Sequence, residues 1–93
     1  MKAKEMFNNL GFYVHGECKD VIWYKEKKGE FLRNVRFNNE FRIIDLWLIN
    51  RLGERVDINI SIELLQAINQ QIRELGWLDE WWNKRNIRLF KEE

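Results

Sequence analysis

The chain has 93 residues, 45% of them hydrophobic and 33% charged, and its 16 Lys and Arg against 15 Asp and Glu leave a formal charge of +1. A length of this order holds one domain that buries about 60 to 65 per cent of its unfolded surface, so a single domain is expected over 1–93, with 78–93 as a C-terminal extension. The composition excludes a disordered chain, the near-zero charge excludes a global field toward nucleic acid or anionic lipid, and the lone Cys18 excludes an internal disulfide framework.

The first helix is expected from Ala3 to Leu10, where Met6, Phe7 and Leu10 recur at one-turn spacing. Leu10-Gly11-Phe12 reads as its stop: a glycine past the last helical residue takes positive φ without steric cost, and Phe12 folds back toward Phe7. Asp20 to Lys25 is rich in β-branched and aromatic residues and predicts a strand, with Glu26 to Glu30 as a charged turn and Phe31 to Phe37 as the second strand.

The Asn38-Asn39 pair marks a hairpin between Phe37 and Phe41. A two-residue loop would set Val35 against Arg42 and Leu32 against Asp45. A three-residue loop through Glu40 pairs Phe37 with Phe41, Val35 with Ile43, Arg33 with Asp45 and Phe31 with Trp47, and is preferred, each matched pair contributing roughly 0.2 to 1 kcal/mol. The third strand, Phe41 to Ile49, carries apolar residues in both phases and so calls for cover on both faces. Val56, Ile58 and Ile60 alternate with Asp57 and Asn59 as a half-buried fourth strand.

Ser61 is placed to cap the second helix, with Ile60 and Leu65 as a hydrophobic staple. Leu64, Leu65, Ile68, Ile72 and Leu75 form its apolar stripe. Leu75-Gly76-Trp77 repeats the stop signature, with Trp77 meeting Ile72. The final segment, Leu78 to Glu93, is read as a short helix. The expected fold is therefore α+β, an antiparallel four-stranded meander flanked in sequence by two helices packed on one face.

Chemistry-bearing residues are few. His15 is the only histidine, and no set of three or four ligands accompanies it, so no metal and no cofactor are expected. His15 with Cys18 lacks an orienting third group for nucleophilic catalysis, and the five glycines form no phosphate loop. Asp45 stands in an apolar strand, where pairing with Arg33 explains it better than catalysis does. The tail differs. Lys84, Arg85, Arg88 and Lys91 alternate with Ile87, Leu89 and Phe90 just after Trp81 and Trp82, a mixture that suits single-stranded nucleic acid, although Asp79, Glu80, Glu92 and Glu93 offset those charges. Trp77, Trp81 and Trp82 would also form a large apolar patch of the kind that marks a protein interface or a homodimer contact, unless they cover the second face of the sheet.

Lys4-Glu5-Met6-Phe7 with Leu10-Gly11-Phe12, and Glu63-Leu64 with Ala67 to Ile72 and Glu74-Leu75-Gly76-Trp77, resemble small uncharacterised proteins encoded by phages and prophages of Gram-positive bacteria. The resemblance covers the two helices, about a third of the chain, and not the strands. Many members of that group stop soon after the final Gly-Trp, which leaves the tail without a counterpart. It implies a mobile-element context and transfers no catalytic residues.

The functional expectation is a non-enzymatic accessory protein acting by protein–protein contact or self-association, with Trp77, Trp81, Trp82, Arg85, Arg88 and Phe90 as the contact residues. The alternative is nucleic-acid binding through the basic aromatic C-terminal segment. The longest apolar runs are Val21–Tyr24 and Leu46–Ile49, far short of the roughly 20 residues that span a bilayer. The charged start Met1-Lys2-Ala3-Lys4-Glu5 is unlike a secretory signal, so a cytoplasmic protein with no membrane partner is expected.

Overall fold

The computed structural model describes residues 1–78. It is an α+β fold in which five antiparallel strands follow one another in space in the order in which they occur in the chain, with helices at the two ends of that series.

Helix α1 (Ala3–Asn9) has only seven residues, too few to persist alone in water, and tertiary packing holds it. Ala3 and Phe7 face inward, Phe7 lies flat on Tyr24 with ring centroids 3.9 Å apart, and Phe12 meets Phe7 edge-on at 5.6 Å. The expected stop is present. Gly11 has φ 96°, and the Phe12 amide donates to the Phe7 carbonyl at 2.9 Å. A Cβ on Gly11 would also stand 3.0 Å from Glu26 Oε2, so a side chain there meets both backbone strain and a buried carboxylate.

Strand β1 (Tyr13–Cys18) was not expected from the sequence, which placed the first strand at Asp20. Only Val14 among its residues packs against the core, and the pairing with β2 slips between Val14 and Gly16, leaving His15 as a bulge. An edge strand of this kind carries a weak apolar alternation. Strand β2 (Val21–Lys28) runs three residues past its expected end, and a two-residue turn with Gly29 at φ 62° replaces the longer charged turn.

Strands β3 (Phe31–Asn38) and β4 (Ile43–Ile49) pair in neither register considered from the sequence. Val35 lies opposite Leu46, Phe37 opposite Ile44 and Arg36 opposite Asp45, across a four-residue turn, Asn39–Arg42, in which Arg42 has φ 55°. Phe41 belongs to that turn and is 65% exposed, instead of facing Phe37. The reason lies in the polar partners. Glu26 takes Arg33 in a fork of 2.7 and 2.8 Å, Asp45 takes Arg36 at 3.0 Å, and Asn39 is held in the turn by accepting from Trp77 Nε1 at 2.6 Å. The slide of three residues exchanges the faces of β4: Ile44 and Leu46 enter the core, while Asp45 and Trp47 go to the other side.

Strand β5 is Arg55–Val56 alone, shorter than the expected Val56–Ile60, because the chain leaves the sheet edge to reach the helical layer. Helix α2 (Ile62–Glu74) begins where Ser61 accepts from the Leu64 amide at 3.1 Å. Its buried face is Leu64, Ala67, Ile68 and Gln71; Leu65 and Ile60, expected as stripe and staple, are exposed. Gln71 is inside because its Oε1 accepts the Tyr24 hydroxyl at 2.6 Å. The second stop also forms, with Gly76 at φ 76°.

Both helices cover one face of the sheet. Tyr24, Val35 and Phe37 lie beneath Phe7, Leu64, Ala67 and Ile68, and the Ala3 amide donates to Glu74 Oε2 at 2.7 Å, joining the start of α1 to the end of α2.

Candidate contact face

Strand alternation sends every second side chain of β2, β3 and β4 to the opposite face, where no described element packs. Val21, Trp23, Lys25 and Lys27 of β2, Asn34 and Arg36 of β3, and Asp45 and Trp47 of β4 share that face, with Arg55 of β5 at its margin. Trp23 and Trp47 reach toward each other over Asn34, their ring centroids 5.7 Å apart, and Asn34 Oδ1 accepts from Trp23 Nε1 at 2.9 Å. That bond explains how an asparagine can be buried in mid-sheet.

Cations clothe the two rings. The Arg36 guanidinium carbon stands 5.0 Å from the Trp47 centroid and 5.6 Å from that of Trp23; Arg55 stands 5.2 Å from Trp47, and Lys25 Nζ is 5.1 Å from Trp23. Each such contact is worth about 0.5–1 kcal/mol where exposed. His15, lifted by the bulge, adds an edge-on contact to Trp23 at 4.4 Å. The result is an aromatic pair that touches little water, Trp47 being 9% exposed, beneath a layer of positive charge. Asp45 is the one carboxylate that the strand pairing puts among these side chains, and it engages Arg36. Among the described residues Lys25, Lys27 and Arg55 have no carboxylate partner.

Two depressions flank the tryptophans. One of about 590 Å³ is bordered by Val21, Trp23, Arg36 and Asn38, with Glu17 at its rim. The other, of about 400 Å³, is bordered by Leu46, Trp47, Arg55, Val56 and Ile58, with Asp57 at its rim. Both fall within the size range of small-ligand pockets.

The residues expected from the sequence to form the contact surface fare differently. Trp77 is 7% exposed and belongs to the core, with its ring 6.3 Å from Phe37 and its N–H bound by Asn39, so it is not a surface residue. Trp81, Trp82, Arg85, Arg88 and Phe90 lie outside the described residues. Asp45 does not pair with Arg33. Arg33 instead forks onto Glu26 and lies 5.0 Å from the Phe12 ring, on the helix side of the sheet. His15 and Cys18 are both exposed on β1, and the sulfur is a free thiol. Trp23, Trp47, Lys25, Arg36 and Arg55 were missed as a group. Their signal was present in Val21-Trp23-Lys25-Lys27, which places tryptophan in phase with lysine while Ile22, Tyr24 and Glu26 take the other phase.

On the helix side, a polar cleft of about 370 Å³ lies at the ends of the helices, between Tyr24, Gln71, Glu74, Glu17 and Lys4. Burial, and then the nearby carboxylates of Glu74 and Glu17, push the Tyr24 phenol up to about 12. It is therefore a hydrogen-bond donor at neutral pH and not a general base. Among the described residues no group of three or more His, Cys, Asp or Glu is placed to hold a metal ion, and no helix is long and apolar enough to cross a membrane.

Comparison with family models, with curated proteins and with solved structures finds no match for this chain.

Proposed function

We propose that this chain is a non-enzymatic binding protein, and that the open face of the sheet around Trp23 and Trp47 is its contact surface. The observation that carries the reading is the division of the sheet: the helices cover one side, while on the other the described residues covering two tryptophans are the cationic side chains of Lys25, Arg36 and Arg55. A face of aromatic rings and arginine, with polar groups at its margin, has the make-up of interface centres. An accessory role by contact or self-association, in the cytoplasm of a host carrying a phage or prophage, agrees with the resemblance of the two helices. Trp77 is withdrawn from the contact surface by its burial.

Site-specific photo-crosslinking in cells tests the reading without presupposing the partner. A photoreactive residue at Lys27, on the open face, should yield adducts, and one at Glu63, on the exposed side of α2, should not. Equal yields from the two positions, or none from Lys27, would remove the support. Light scattering over a range of concentrations separates self-association from capture of another molecule.

A further inference from the structure

We infer that the open face binds single-stranded nucleic acid, an assignment that rests on the reading of this face as the contact surface and names its partner. The charge on the face is lopsided. Lys25, Lys27, Arg36 and Arg55 project from it against Asp45, with Glu17 and Asp57 at the rims of the two depressions, in a chain whose overall charge is only +1. Lys25 and Arg55 are held by tryptophan rings and by no described carboxylate, so their N–H groups remain available to phosphate oxygens. Neighbouring strands stand about 4.8 Å apart, so the cations from β2 to β5 are spread over about 14 Å, a track that a few nucleotides follow.

Charge alone would fit any anion. The rings and the guanidinium groups narrow the choice. Arg36 lies between Trp47 and Trp23, whereas Arg55 lies over Trp47 and is exposed, so its planar guanidinium offers a surface on which a base can stack. Trp23 is half-buried with a depression beside it, and Tyr13, on the same face and opposite Lys25, is 48% exposed. An acidic peptide would answer the cations and leave these π-surfaces unused. A duplex keeps its bases stacked on one another. A single strand offers phosphates and free base planes together, the pairing that non-specific single-strand binders exploit. Among the described residues the amides of the β2–β4 face are Asn34, which is buried, and Asn38, whose Oδ1 accepts from the Phe41 amide, so binding should be tolerant of sequence.

The test is fluorescence anisotropy of a labelled mixed-sequence single strand with the full chain at about 50 mM and about 200 mM salt. Three or four phosphate contacts give a log–log salt slope of about −2 to −3 and a loss of affinity of roughly 20- to 60-fold over that range. The double variant Lys25→Glu/Arg55→Glu changes exposed or half-exposed side chains and should keep the native melting temperature within a few degrees. It should bind more than tenfold more weakly, with a slope shallower by about 1.4. Trp23→Leu should weaken binding by roughly tenfold through lost stacking. Failure to bind at the lower salt, equal affinity for a duplex of the same sequence, or a double variant as tight as the native chain would each overturn the inference. So would a loss of binding confined to Arg85→Ala/Arg88→Ala, which would move the site to the C-terminal segment. If no nucleic acid binds but Lys27 still crosslinks to a protein, and the double variant abolishes that adduct, this inference falls and the contact face stands. If Lys27 gives no adduct of any kind, both fall.

Discussion

The two faces of this sheet are built from the same three central strands and stabilised in opposite ways. On the helix side, Phe7 lies on Tyr24 and stands edge-on to Phe12 and Phe37, and the few polar groups are matched one to one: Tyr24 with Gln71, Glu26 with Arg33, Trp77 with Asn39. On the other side, the aromatic surface of Trp23 and Trp47 is covered by ends of long cationic side chains. The first arrangement is dry and tied to one geometry. The second is held by contacts of about 1 kcal/mol or less each, which a ligand can exchange for its own. Stability is thus concentrated in one face and adaptability in the other, and substitutions should divide accordingly.

The largest effect is expected from Phe7→Ala, which empties the space between α1 and the sheet and should destabilise the fold by about 3–5 kcal/mol in denaturant unfolding. A loss below about 1 kcal/mol would mean that α1 is not a structural lid. Next comes Arg33→Met, which leaves the Glu26 carboxylate, itself 6% exposed, without its fork and should cost about 2–4 kcal/mol. Adding Glu26→Leu to that variant should recover most of the loss, since a well-packed apolar pair can replace a buried ion pair; a double mutant as unstable as the single would show that the pair itself supports the fold.

A pH series sharpens the comparison further. The folded Tyr24 phenol ionises near 12 against an ordinary 10.0, so its contribution is intact below about pH 10 and is lost as pH rises through about 12. That gap corresponds to about 2–3 kcal/mol. Tyr24→Phe should remove this part of the alkaline decline while lowering stability at neutral pH by about 1–2 kcal/mol, because the Gln71 oxygen loses its donor. Unfolding curves at pH 8, 10 and 11.5 decide the matter; the same decline in both proteins would place its cause elsewhere. The smallest change in stability belongs to the open face, where Arg55→Ala should move the unfolding free energy by about 0.5–1 kcal/mol or less. A cost as large as that of Phe7→Ala would abolish the distinction between the faces.

What the sequence disclosed follows from how local each signal is. Leu10-Gly11-Phe12, Leu75-Gly76-Trp77 and Ser61 describe backbone events a few residues wide: both glycines take positive φ, Phe12 returns to Phe7 and Ser61 caps α2, while Trp77 packs near Phe37. The alternation in β2 and β3 is nearly as local. The register of β4 was not legible, because Phe41 to Ile49 is apolar in both phases and either face could be turned inward. The register that forms sets Asp45 opposite Arg36, leaves Arg33 to Glu26 on β2 and lets Asn39 receive Trp77 across 38 positions, and no window on the strand itself contains those partners. Strand β1 was missed for the converse reason: at the sheet edge, with Val14 as its single core contact, it does not need a hydrophobic pattern. The contact face inherited the register error. With Trp47 expected opposite Phe31, the meeting of Trp47 with Trp23 could not be foreseen.

The 2.7 Å bond from the Ala3 amide to Glu74 carries a consequence for biosynthesis. The strands form from neighbours and can pair as they leave the ribosome, but the lid over Tyr24, Val35 and Phe37 needs both α1 and α2. A nascent polypeptide that has emerged only as far as Ile60 therefore presents an unsealed greasy surface, and closure waits until translation has delivered the residues of α2.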